Sequence, residues 1–159
     1  LTQSLILCDA PLGFQDFTEN EREKFVRLRR KPIEDGMDLT TMAINIADTL
    51  IGKKSNKLAY DQLVKSMQKL HKETYLKAID TFVKSDHYNI FPKLDLPVLV
   101  LVGGLDNLTP VSMAKEISGK IGGSIFKIIP NAGHLSNIEN PSEFNKVVSR
   151  FLSKLVKTC

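Results

Sequence analysis

Two side chains in this 159-residue sequence could carry acid-base chemistry together, Asp106 and His134. An imidazole changes charge near neutral pH, so it can take a proton from a weak nucleophile and hand it to a leaving group. A carboxylate facing its other nitrogen would hold the imidazole in one tautomer and stabilise the imidazolium that forms. Each residue lies on a turn between an apolar run and a helix signal. His134 belongs to Ile-Ile-Pro-Asn-Ala-Gly-His-Leu-Ser-Asn-Ile-Glu-Asn-Pro, residues 128–141, and Asp106 to Pro-Val-Leu-Val-Leu-Val-Gly-Gly-Leu-Asp-Asn-Leu-Thr-Pro, residues 97–110. Taken singly, each has a plainer explanation. Asp106 would be an Asx turn-former and His134 a polar residue on a solvated loop.

The elements that must present this pair can be read from periodicity and punctuation. The Val and Leu run at residues 98–102 is that of a strand buried on both faces, the habit of parallel sheets. Residues 124–129 read as a second, short buried strand that ends at Pro130-Asn131-Ala132-Gly133. Gly103-Gly104 turns the chain, and Thr109-Pro110 reads as a cap and first-turn proline opening a helix. Asn140 and Pro141 open the last helix, with Glu143 where a capping-box carboxylate would reach back. Its apolar face would be Phe144, Val147, Val148, Phe151, Leu152 and Leu155, running to about Val156. One right-handed crossover between the two strands would place Asp106 and His134 just past neighbouring carboxyl ends, where sites of open α/β sheets gather.

These two segments resemble the carboxyl-terminal core of α/β-hydrolases, most closely the 3-oxoadipate enol-lactonase-like members. In that family the acid follows the seventh strand and the base the eighth, so the resemblance assigns those roles to Asp106 and His134, in the chain order Ser, acid, His. It implies an α/β fold holding the carboxyl-terminal part of the parallel sheet, three strands with flanking helices, plus a helical cap insertion. Residues 1–13 would be a core strand, 14–93 the cap or lid, and 94–159 the carboxyl-terminal α/β core. The sequence departs from the pattern: it holds no Gly-x-Ser-x-Gly nucleophile elbow, and the oxyanion-hole loop that should precede it is absent too. The expectation is therefore a fragment, inactive alone, whose serine and oxyanion hole lie in a missing amino-terminal half.

The earlier parts of the chain fit this frame. Ser4-Leu-Ile-Leu-Cys-Asp-Ala-Pro11 reads as a buried parallel strand matching the family's sixth. Asp9 competes for the acid role, since some relatives place the acid there; the fuller match of Gly-Gly-Leu-Asp favours Asp106. From residue 14 to about 92 the period turns helical, with four helices expected. Thr18 and Glu21 form a capping box for the first, which should end or kink around Lys31 ahead of Pro32. Asp38 caps the second, whose inward positions are Leu39, Met42, Ala43, Ile46, Ala47 and Leu50, and Gly52 stops it. A third spans about 57–70 with Leu63, Val64, Met67 and Leu70 inward, and a fourth about 72–84 with Tyr75, Leu76, Ile79, Phe82 and Val83 to one side. Met42, Ile46 and Phe82 are candidate roof residues over an apolar pocket.

Composition sets the remaining bounds. The chain is 42% hydrophobic and 25% charged, with a net charge of +4. Its densest basic run, Arg27, Arg29, Arg30 and Lys31, alternates with Glu21, Glu23 and Glu34, which reads as a solvated helix face rather than a nucleic-acid patch. Cys8 and Cys159 have no spacing suited to a disulfide framework or a zinc site, His71 and His87 have no partners at ligand spacing, and no metal or organic cofactor is called for. No run approaches the roughly 18 apolar residues of a membrane span, and a cytoplasmic location is the simple expectation. The expected partners are a small ester or lactone, the missing half of the fold, and a second copy through an exposed sheet edge. Two alternatives come from other classes: a haloalkane dehalogenase or epoxide hydrolase with an Asp nucleophile, and a non-catalytic relative that binds a ligand beneath the cap.

Overall fold

In the computed structural model, which describes residues 2–15, 17–52 and 56–156, the chain opens with a short strand, β1 (Leu5–Cys8). Four helices follow: α1 (Glu19–Glu34), α2 (Leu39–Leu50), α3 (Lys57–Met67) and α4 (Lys72–Phe82). A single 3-10 turn at Phe91–Lys93 leads into β2 (Val98–Gly103), α5 (Val111–Lys120), β3 (Ile125–Ile129), α6 (Ser136–Glu139) and α7 (Pro141–Val156). Cys159 lies outside the described residues.

β2 organises the rest. All six of its residues are buried, and it pairs in parallel with β1 on one side and β3 on the other, in the order β1-β2-β3. Successive side chains of a strand point to opposite faces. Val98, Val100 and Val102 accordingly join Phe91 and the α5 residues Ala114 and Ile117 in one core, while Leu99 and Leu101 join Ile129, Ala132 and Phe151 in another. α7 covers the second face with Phe144, Val147, Val148 and Leu155. Leu152, expected on that face, is 42% exposed. Leu101 is fully buried at the centre of the sheet. Its truncation in Leu101→Ala should cost about 2–5 kcal/mol, measurable as a lowered urea midpoint with an unchanged slope; a loss within measurement error would contradict the packing described.

β1 and β3 are the edges of the described sheet, and their burial shows it. All four β1 residues are only half-buried, and in β3 the consecutive residues Lys127 and Ile128, which point to opposite faces, are both exposed, so the strand expected to be buried is only partly covered.

The four helices between β1 and β2 pack on one another, α1 against α4 and α2 against both α1 and α3. Thr18 and Glu21 make the capping box in full, and Asp38 accepts from the amides of Thr40 and Thr41. α1 does not stop ahead of Pro32 but runs to Glu34. Proline removes one backbone donor, and here it falls in the last turn, where Asp35 N donates to Lys31 O at 2.8 Å and Met37 N to Pro32 O at 2.9 Å to close the end. α3 ends at Met67, leaving Leu70 beyond it and exposed. The basic run of α1, expected on a solvated face, is only partly so: Arg27 and Lys31 are exposed, while Arg29 and Arg30 are half-buried, Arg30 meeting Glu34 at 3.0 Å and Asp80 at 2.6 Å and the Arg29 guanidinium stacking 3.4 Å over the Phe25 ring. Phe82, a candidate roof residue, instead packs its ring 5.1 Å from Phe14, in a cluster with Phe17 and Phe25. Met42 is buried and Ile46 half-buried.

Among the described residues, no helix is long and apolar enough to cross a membrane.

Candidate active site

The carboxyl ends of the three strands converge, and their loops bring Asp106 and His134 into contact. Gly104 N donates to Ile129 O at 2.9 Å and Leu105 N to Ala132 O at 2.8 Å, which zips the loop after β2 to the loop after β3. The approach is close enough that a Cβ on Gly103 would overlap the backbone carbonyls of Ala132 and Gly133. Only glycine fits there. The Asp106 side chain is fully buried and that of His134 is 22% exposed, with Asp106 Oδ2 lying 2.9 Å from His134 Nδ1.

The carboxylate is fixed on every side. Oδ1 accepts from Leu108 N at 2.8 Å and Thr109 N at 2.9 Å, an Asx-type turn, and Oδ2 accepts from Thr109 Oγ1 at 2.7 Å as well as facing the imidazole. An ionised carboxylate has no proton to give, so Nδ1 carries the proton and Nε2 keeps its lone pair. Burial pushes the Asp106 carboxyl upward, but the hydrogen bonds from His134 and Thr109 outweigh it and hold the group below the usual carboxylate range. For His134, burial alone would lower the pKa. The hydrogen bond to Asp106 and the negative charges of Asp106, Asp9 and Glu139 reverse this and leave it raised.

Asp9, the competing acid, has a different occupation. It follows β1 with φ of 47°, a left-handed conformation that Asp tolerates better than most residues. Its Oδ1 accepts from Gly103 N at 2.8 Å, and its Oδ2 accepts from Ser136 Oγ at 2.7 Å. The Asp9 carboxylate thus ties the loop after β1 to the end of β2 and the start of α6. Cys8 Sγ lies 3.0 Å from Asp9 Oδ2. Burial and then Asp9 push that thiol up to about 12, so it stays protonated at neutral pH and is no nucleophile.

Several participants escaped the sequence reading. Thr109 is not a helix cap: α5 begins at Val111 with Pro110 at its N-cap and no side-chain cap. The Thr109 hydroxyl instead sits within 3.2 Å of Asp106 Oδ2, the Asp9 carbonyl and His134 Nδ1. Ser136 and Glu139 form the short helix α6, which is too brief to leave a periodic signal, and both are buried. Asn140 does cap α7, accepting from Glu143 N at 3.3 Å, but the Glu143 carboxylate turns to Lys146 rather than back to the cap. The one available clue was the density of Ser, Asn and Glu in residues 136–140, a concentration of local hydrogen-bonding groups.

A model of the alpha/beta hydrolase fold family matches residues 9–141. The chain belongs to the α/β-hydrolase fold family. Its relatives include the 2-hydroxy-6-oxo-6-(2'-aminophenyl)hexa-2,4-dienoic acid hydrolase of Metapseudomonas resinovorans, 30% identical over 91% of this chain and 45% of that protein. The 3-oxoadipate enol-lactonase 1 of Acinetobacter baylyi is 26% identical over 64% of this chain and 38% of its own length. Among solved structures, a thermophilic esterase from Thermogutta terrifontis superposes with a TM-score of 0.84 at 23% identity, covering 96% of this chain and 56% of the esterase. The chain thus spans less than half the length of these two curated relatives. As an α/β-hydrolase sheet, β1-β2-β3 has the parallel pairing of that fold, with helices on both faces. Among the described residues, no cluster of three or more His, Cys, Asp or Glu is placed to hold a metal ion.

Proposed function

We propose that this chain supplies the acid and base of a serine-type α/β-hydrolase that hydrolyses a small carboxylic ester or lactone. Asp106 orients His134, and His134 activates a serine outside these 159 residues. The observation that carries the reading is the 2.9 Å contact between Asp106 Oδ2 and His134 Nδ1 at adjoining strand ends, with the carboxylate wholly buried. The likeness to the 3-oxoadipate enol-lactonase supports the substrate class.

In this reading, His134 Nε2 takes the serine proton as the hydroxyl attacks the ester carbonyl, and Asp106 stabilises the imidazolium so formed. The same nitrogen then protonates the leaving alkoxide. A water molecule, deprotonated by His134, cleaves the acyl-enzyme in the second half. The oxyanion would be held by backbone N–H groups outside this chain. Helices α1–α4, within residues 14–93, act as the cap that closes the cleft and restricts it to small substrates.

The pH dependence of ester hydrolysis by the full-length protein tests this. His134 works as a base only when neutral, and its carboxylate neighbours raise its pKa. The kcat/KM profile should therefore rise with pH through a midpoint above the ordinary imidazole value of about 6.5. A profile that is flat through that region would contradict the role.

A further inference from the structure

The loop that carries His134 is fastened to the helical insertion as well as to the sheet. Glu139, at the end of α6, is 8% exposed, and its carboxylate spans the two bodies. One oxygen, Oε1, accepts from Gly133 N at 2.9 Å and Leu135 N at 3.3 Å, the two amides that bracket His134. The other, Oε2, accepts from Gly52 N at 2.8 Å, just beyond the end of α2. The His134 amide itself donates to Leu50 O, the last residue of α2, at 2.9 Å.

Three further contacts close the same joint. Asn56 Nδ2 donates to the Glu139 carbonyl at 3.0 Å, while its Oδ1 accepts from Ala59 N at 3.2 Å and so caps α3. Leu135 and Ile138 pack into the cluster formed by Ala47, Ile51, Ala59 and Leu63. A Cβ on Gly52 would stand 2.5 Å from Gly133 N, which explains the glycine. Gly52 is thus a close-contact residue, not a left-handed helix stop: α2 ends with Ile51 in extended conformation.

A carboxylate taken out of water is tolerable when charge-assisted hydrogen bonds replace its hydration. Here all the donors named are backbone amides, split between the His134 loop and the end of α2. We propose that Glu139 is a positioning residue whose carboxylate makes the placement of His134 depend on the seating of α2. Displacement of the insertion then pulls on the residues either side of the base, so movement of the cap and readiness of the base are one event. The catalytic consequence rests on the reading of His134 as base; the clasp does not.

The test compares Glu139→Gln with Glu143→Gln in the full-length protein. A glutamine keeps the size but turns an N–H₂ toward one of the amides the carboxylate joined. Amide exchange at Gly52, Gly133 and His134 should accelerate about tenfold in Glu139→Gln, the scale of one lost hydrogen bond. The imidazole titration of His134, followed by NMR, should move to lower pH, because the groups facing it are then Asp106 and Asp9 without the Glu139 charge. The acid limb of the rate profile should move with it, and kcat should fall more than KM rises. Glu143→Gln should leave all of these unchanged.

A measurement on the unsubstituted protein keeps the inference testable if the glutamine variant does not fold. In native-state hydrogen exchange followed over rising urea, the amides of Gly52 and Gly133 should open together at a single midpoint, since one carboxylate accepts from both. Separate midpoints would overturn the clasp, and so would a Glu139→Gln protein with normal exchange at Gly52. Loosened amides with an unaltered His134 titration and kcat would overturn the positioning role. Undiminished hydrolysis by His134→Ala would overturn the base assignment instead, and leave the clasp standing.

Discussion

His134→Ala in the full-length protein is expected to lower kcat for a p-nitrophenyl ester by at least about 10⁴-fold, the scale seen when triad geometry is lost in serine hydrolases. Its removal leaves the strands untouched but takes one donor from the buried Asp106 carboxylate, so the protein should stay folded with a stability lower by about 1–3 kcal/mol. Asp106→Asn should give a loss of similar size for a different reason. An amide in that place presents an N–H₂ where Oδ2 now faces Nδ1, which favours the tautomer with its proton on Nε2 and removes the base. It should also cost stability, because the Thr109 hydroxyl loses its acceptor at Oδ2 and the amides of Leu108 and Thr109, still bonded at Oδ1, lose the negative charge they point at. Urea unfolding separates the two effects. Near-normal turnover by either variant, with folding retained, contradicts their pairing in catalysis.

The second large effect concerns the 159 residues in isolation. They should show no hydrolysis and should self-associate. In the described sheet β1 pairs with β2 alone, so its other edge presents unpaired N–H and C=O groups along Leu-Ile-Leu-Cys, a template for another chain. Light scattering should report particles larger than one chain, and addition of the separately expressed amino-terminal half should restore both single-complex behaviour and ester hydrolysis. A stable monomer that hydrolyses esters by itself would overturn both the edge argument and the external serine.

What was legible in the sequence follows from how local each signal is. The Val and Leu run of β2 and the spacing of α2 depend on burial of one face or two, and burial is written in composition and period. The same holds for Asp106 and His134, whose turns are bracketed by Gly, Pro and Asn. Ser136 and Glu139 were passed over, and the ties made by Asp9 went unseen, because their partners lie far along the chain. Asp9 reaches Ser136 and Gly103, and Glu139 reaches Gly52, contacts that no window of sequence displays. Thr109 shows the cost of a correct local rule applied to the wrong competitor. A threonine before a proline is a good cap, but the buried carboxylate three residues earlier claims its hydroxyl. Pro32 is the converse case: placed in the final turn of α1, it meets a helix end already closing through other carbonyls. Ile128 and Leu152 are apolar residues in the expected positions left exposed, in an edge strand and on the helix beside it.

The central claim is that Asp106 and His134 activate a serine supplied from outside this chain, and labelling with a fluorophosphonate tests it most directly. The full-length protein, treated with the reagent and mapped by mass spectrometry, should carry the adduct on one serine beyond these 159 residues. His134→Ala should abolish the labelling. An adduct on a residue of this chain, or labelling of equal rate in the His134→Ala protein, would contradict the account.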